Sequence, residues 1–226
     1  MSAGTDVGGT ENSPIVIQTL AERIYDLVRE RIIAGKVSSD DPIRQDALAR
    51  ELGVSKIPLR EALARLEQDG LVSSQANRGF FVRPLRLAEA EEIFALRLKI
   101  EPEAVGLAAT RASDAHKKVA ITALDAMDRT ILDPSTGDIG LLNREFHLAL
   151  VRPCGMPVTI GLVERLQLIA ERYARKHLEP VGRDGRAKEE HRALLDAWLI
   201  GDAKLAQHLA EEHIRVTLND LRHQFR

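Results

Sequence analysis

Apolar residues recur at intervals of three and four along most of this chain, and the places where that rhythm fails divide it into parts. Residues 1–12, rich in Gly, Thr and Ser, hold no apolar stripe and read as a disordered tail. TLAERIYDLVRERIIAG then puts Leu20, Ile24, Leu27, Val28 and Ile32 on one face of a helix that Gly35 is expected to stop. A loop, KVSSDDP, precedes a shorter helix, RQDALARELG, where Leu48 and Leu52 stand one turn apart and Gly53 takes the usual place after the last turn. In the next helical stretch, GVSKIPLREALARLEQDG, the stripe is Leu59, Ala62, Leu63 and Leu66.

The rhythm changes in LVSSQANRGFFVRPL, where two apolar runs flank Gln75-Ala76-Asn77-Arg78-Gly79, the pattern of a β-hairpin with a polar tip. Residues 84–88 read as a short linker. Helical spacing then returns and persists. It runs through AEAEEIFALRLKI, which Pro102 should break or kink, and PEAVGLAATRAS. HKKVAITALDAMDRTIL, DIGLLNREFHLALV, TIGLVERLQLIAERYARKHL, RAKEEHRALLDAWLIG and AKLAQHLAEEHIRVTLNDLRHQF follow. The pattern predicts a mainly α protein: a small helical domain with a hairpin over 13–85, then an all-α antiparallel bundle over 86–226.

Composition narrows the partners more than the fold. With 44% hydrophobic and 29% charged residues, the chain has an ordinary globular make-up. A formal net charge of −2 is not that of a general polyanion binder, so any nucleic-acid contact must come from local placement of charge. Cys154 is the sole cysteine, which excludes an internal disulfide and points to a reducing, cytoplasmic interior. The N-terminus lacks the basic and apolar regions of a signal peptide, and no apolar run approaches the roughly 18 residues of a membrane span.

Charge placement is uneven in one informative place. Lys56 and Arg60 lie in the first turns of the helix that Ser55 should cap, where the helix dipole is already positive. Pro58 has no N–H to receive the Ser55 side chain, so the N–H of Ile57 must serve instead. From Lys56 to Arg86 there are six Lys/Arg (Lys56, Arg60, Arg65, Arg78, Arg83, Arg86) against three Asp/Glu (Glu61, Glu67, Asp69). Two helices joined by Gly53-Val54-Ser55, the second basic at its start, describe a helix-turn-helix, and the hairpin has the layout of a wing. Ser55, Lys56 and Arg60 become candidate DNA contacts, as do Asn77, Arg78 and Gly79 at the wing tip. The plainer alternative is a three-helix core module with solvated charges.

ALARELGVSKIPLREALARLEQDGLV followed by NRGFFV resembles the winged-helix DNA-binding domain of GntR-family bacterial transcriptional regulators over roughly residues 15–84. Two positions depart from the family pattern. Lys56 stands where arginine is commonest, which keeps charge but loses bidentate geometry. Asp46 stands where some members have arginine, so no base contact is carried over to it.

The second half offers histidines. Asn143 and His147 are four apart in NREFH, on a face that also carries Ile139 and Leu150. His191 is followed on its face by Leu194, Leu195 and Trp198, and His213 lies in line with Leu209 and Val216. Imidazoles and an amide oxygen converging in a bundle suit zinc, nickel or another divalent transition metal. Spacing alone equally describes separately hydrogen-bonded core histidines. A metal-dependent enzyme is the rival function, but Glu145 should point away from His147, and Glu190 and Glu212 read as solvated, which leaves no convincing base. A third reading is a metal-free regulator whose pocket holds its ligand by hydrogen bonds alone.

NREFHLALV, EEHRALLDAWLIGDAKLAQHLAEEHI and FALRLKIEPEAVGLAA resemble the FCD effector domain of FadR-type GntR regulators, over roughly residues 87–222. The resemblance implies a divalent metal on Asn143, His147, His191 and His213, with Asn143 where Asp is commoner. It further implies a small carboxylate effector, a homodimer on a pseudo-palindromic double-stranded operator, and usually repression. Arg97, in ALRLKIE, is the candidate to meet the effector's charge, or else a surface ion-pair partner.

Overall fold

The computed structural model describes residues 18–39, 42–177 and 183–225, so the segment expected to be a tail, 1–12, lies outside them. Its elements are α1 (Leu20–Ile33), α2 (Gln45–Leu52), α3 (Lys56–Gln68), β1 (Val72–Gln75) and β2 (Gly79–Val82). Six long helices follow: α4 (Leu87–Arg111), α5 (Asp114–Leu132), α6 (Ile139–Val151), α7 (Pro157–His177), α8 (Arg183–Leu199) and α9 (Ala203–Gln224). Single 3-10 turns occur at Pro134–Thr136 and Arg152–Cys154. The fold class is as expected: a winged helix-turn-helix followed by a helical bundle.

A capping box starts α1: the Thr19 hydroxyl accepts from the Glu22 N–H, and the Glu22 carboxylate accepts from the Thr19 N–H. Ile24, Val28 and Ile32 are buried against α3, but Leu20 and Leu27 are exposed. Tyr25 and Ile33 take those places, so the true stripe is rotated from the one expected. Gly53 ends α2 at φ 65°, a left-handed conformation in which a side chain would be strained. The chain then turns directly into α3, whose Leu59, Ala62, Leu63 and Leu66 are fully buried.

β1 and β2 pair antiparallel, from Val72 opposite Val82 to Gln75 opposite Gly79. The segment expected to be a plain loop joins this wing, because Pro42 bridges Phe81 and the Ile43 N–H donates to the Phe80 carbonyl at 2.7 Å. The expected linker, 84–88, overlaps α4, which already begins at Leu87.

Pro102 does not break α4, which runs unbroken from Leu87 to Arg111. Proline costs a helix one hydrogen bond and a clash with the preceding turn. Here α4 packs on both α7 and α9, and Pro102 is itself buried. At Gly106 the two helices come close: an added Cβ would lie 2.8 Å from the Ala203 carbonyl oxygen. The bundle core gathers round Trp198, whose indole N–H donates to the Leu150 carbonyl at 3.1 Å.

α7 faces both ways. Leu168 packs in the N-terminal core, with Ile169 and Arg165 beside Gly70, while Ala170 and Tyr173 pack with α4 and α9. Arg172 Nη2 donates to the Arg83 carbonyl at 2.8 Å, and the Tyr173 hydroxyl donates to Glu89 at 2.6 Å and accepts from the Arg86 N–H at 3.2 Å. The strand leaving the wing is thereby pinned to α7.

Candidate DNA-reading face and buried histidine site

With one side of α3 buried, the side turned from it carries Ile57, Arg60, Glu61 and Ala64, all exposed. Arg60 has no ion-pair partner among the described residues. Lys56 Nζ lies 2.5 Å from Asp46 Oδ1 of α2, but both groups are well exposed, so the pair is worth less than about 1 kcal/mol. Ser55 occupies the cap position without the expected hydrogen bond, since no side-chain capping bond forms. Its exposed hydroxyl is thus not committed to the helix.

At the wing tip, Asn77 adopts φ 60° and Gly79 φ 88°, which closes the three-residue loop between the strands. Arg78 donates from Nη1 to Gln75 Oε1 at 3.0 Å and lies over the Phe81 ring, 5.3 Å from its centroid. The tip is therefore a preformed polar projection beside α3.

Three helices bring the histidines together. Ligand atoms of His147 on α6, His191 on α8 and His213 on α9 all lie within 4.8 Å of one another. His147 and His191 are buried, and the His213 side chain is 11% exposed. They line a cavity of about 470 Å³, which Asn143 and Arg97 also line. His147 is held well below the ordinary imidazole pKa, first by burial, then by the neighbouring His213 and His191 and by Arg97. It is neutral, with a lone pair, and its Nε2 has no hydrogen-bond partner among the described residues. A buried imidazole nitrogen without a partner, two further imidazoles within ligand reach and an amide on the same wall fit a divalent transition metal.

Glu190 corrects the expectation that it is a solvated neighbour. Its Oε2 lies 2.7 Å from His213 Nδ1, which fixes the ring and leaves Nε2 for the cluster. Adjacent residues on a helix do not share a face, so Glu190 beside His191 gives no hint of a contact with His213 on another helix.

Arg97 also departs from its alternative reading. It is ion-paired, but inside the protein: Nε and Nη2 reach the two Glu101 oxygens at 2.9 and 3.2 Å, and Gln167 holds Glu101 at 2.6 Å. Only 7% of Arg97 is exposed, so this is no surface pair, and Nη1 is not used by Glu101. The spacing of four between Arg97 and Glu101 is the one sequence signal that points to this pair.

The cavity lining also includes an ionic cluster. Arg144 and Arg175 each approach Glu171 at 3.5 Å, and Arg175 also pairs with Asp138. Burial pushes the Glu171 carboxyl up, a shift that Arg144 opposes. Among the described residues, no helix is long and apolar enough to cross a membrane.

A helix-turn-helix with a wing, carried on a helical bundle, defines a DNA-binding transcriptional regulator. The chain belongs to the GntR family and carries an FCD domain. Residues 20–82 match the bacterial regulatory proteins of the gntR family, and residues 92–216 match the FCD domain. It is 30% identical to an uncharacterized HTH-type transcriptional regulator, BphR, of Paraburkholderia xenovorans, over 98% of this chain and 94% of that one. It is 29% identical to the HTH-type transcriptional repressor GlaR of Escherichia coli, over 84% of this chain and 90% of that one. Among solved structures, Escherichia coli McbR/YncC aligns with a TM-score of 0.79 at 22% identity, over 93% of this chain and all (100%) of that one, a likeness of fold. The metal-enzyme alternative falls: the chain is a regulator, not an enzyme.

Proposed function

We propose that this regulator is a cytoplasmic homodimer that represses from a pseudo-palindromic operator until a small organic acid binds its bundle. In this reading residues 13–85 bind DNA through Ser55, Lys56, Arg60 and the wing tip Asn77-Arg78-Gly79, and residues 86–226 bind the effector and dimerise. Zinc or nickel would be held by His147, His191, His213 and the carbonyl oxygen of Asn143, and when bound it would offer a carboxylate an open coordination position. Arg97, fixed by Glu101, stands on the same cavity and keeps donors for the acid's remaining charge.

The observation that carries this reading is the convergence of three buried imidazoles on a cavity large enough for a small molecule. α7 supplies the route outward, since Gln167, Ala170 and Glu171 line the cavity while Leu168 and Arg172 hold the DNA-binding part. A shift of α7 on ligand binding would move the wing relative to the bundle.

Thermal shift of the purified full chain, with and without added zinc or nickel, against a panel of sugar acids, hydroxy acids and dicarboxylates is the test. A true effector at 100 times its dissociation constant raises stability by about 2.7 kcal/mol, and only with metal present. Equal response with and without metal removes the metal from the reading. Sedimentation of the full chain as a monomer at micromolar concentration removes the dimer.

A further inference from the structure

Ile57 is the anomaly of the DNA-reading face. It is 72% exposed, one of the most exposed large apolar residues described. It occupies the first turn of α3, between Lys56 and Pro58, and it lies roughly opposite the buried stripe of Leu59, Ala62, Leu63 and Leu66. Nothing in the fold needs it there, because the N-terminal core closes without it. The groove-facing positions around it are Arg60, Glu61 and Ala64, so Ile57 is the one bulky apolar group on that surface of α3.

The first turns of the second helix are the part of a helix-turn-helix that meets base edges in the major groove. Base edges there are donors and acceptors, with one apolar exception, the 5-methyl group of thymine. A branched alkyl side chain accepts and donates nothing, so against any other base it would strip water from polar edges without replacing the hydrogen bonds. Against thymine it buries methyl on methyl. From this geometry we infer that Ile57 is a specificity-determining residue that reads the 5-methyl group of a thymine in each operator half-site. The inference rests on α3 being the groove-entering helix, as proposed above. Lys56 beside it and Arg60 one turn on supply the charges that would meet phosphates around that methyl.

The protein itself can supply the operator for the test. Duplexes selected from a random pool by the full-length wild type give the site, and each thymine in it is then replaced singly by uracil, which deletes only the methyl group. The expected result is one thymine per half-site whose replacement weakens wild-type binding about three- to fivefold, the worth of one buried methyl. Ile57→Ser should bind the thymine and uracil forms equally, and 5-methylcytosine at that position should restore part of the lost wild-type affinity. Because Ile57 is on the surface, the variant should keep its helicity, checked by circular dichroism. No methyl-sensitive position, or the same sensitivity in Ile57→Ser, would overturn the inference. If instead Arg60→Ala binds the selected operator with wild-type affinity, the groove-entry reading itself is what fails.

Discussion

At the start of α3, Lys56 and Arg60 stand in water at the positive end of a helix, and no fold-stabilising contact requires them there. In the bundle, His147 sits buried beside two other imidazoles and is held neutral by burial. One region displays charge in water, Arg60 with no ion-pair partner among the described residues and Lys56 with only the exposed Asp46; the other suppresses charge that water would allow. Both are locally unfavourable, and each becomes sensible once a ligand of opposite character is supplied: a polyanion outside, a cation inside. Mismatch with the local environment marks both.

The sharpest way to break this comparison is Arg60→Ala. It removes a groove-facing charge from an exposed site, so folding should be unchanged while specific operator binding falls to the non-specific level, a loss of about 10³ or more. Electrophoretic mobility shift on the selected operator reads it, and metal content should not move. Near-wild-type affinity would put the DNA contacts elsewhere.

His147→Ala or His213→Ala should do the reverse: empty the proposed metal site by elemental analysis and leave operator binding without effector intact. Glu190→Gln is gentler. It keeps the hydrogen bond to His213 but loses the carboxylate charge that raises imidazole basicity, so metal affinity should drop by about tenfold. Unchanged affinity in a competition assay would mean that Glu190 only packs beside the ring.

Acid should separate the regions further. The pKa of His147 in the folded chain lies below the unfolded value near ~6.5, so on acidification the unfolded chain takes up a proton first. The contribution of this residue to stability is therefore complete above ~6.5 and is lost as pH falls below it. Melting of the metal-free chain across that window should show the decline, and His147→Gln should flatten it. The smallest expected effect is at the surface again. Asp46→Asn frees Lys56 and removes a charge facing phosphates, so DNA affinity should rise a few-fold, most at low salt.

How far the sequence reveals these two regions differs for a physical reason. Short-range periodicity exposes the α3 stripe, the Gly53 turn and the polar hairpin tip, because each depends on neighbours in the chain. The same periodicity misplaces Leu20 and Leu27, whose exposure is decided by how α1 packs on α3. It also expects Pro102 to break or kink its helix, although α4 continues through it, packed on α7 and α9. In the bundle, spacing singles out three histidines on apolar faces, but only the family resemblance implies that they converge, since α6, α8 and α9 meet only in space. Glu190 is invisible for that reason. Arg97 is recognisable as a candidate, yet its confinement by Glu101 and Gln167 depends on a residue of α7 as well as its own helix.

α7 has a consequence that reaches beyond signalling in one direction. Its Gln167 and Glu171 touch the cavity while Leu168 and Arg172 touch the DNA-binding part, so in the proposed reading the effector and operator equilibria are coupled through it. Coupling between two binding equilibria is necessarily reciprocal. If an acid weakens the operator complex by some factor, the operator must weaken the acid by that same factor. A chain seated on its operator is then a poorer sensor than the identical chain free in solution. The concentration of acid needed for release is accordingly set by occupancy of the DNA as much as by the chemistry of the pocket.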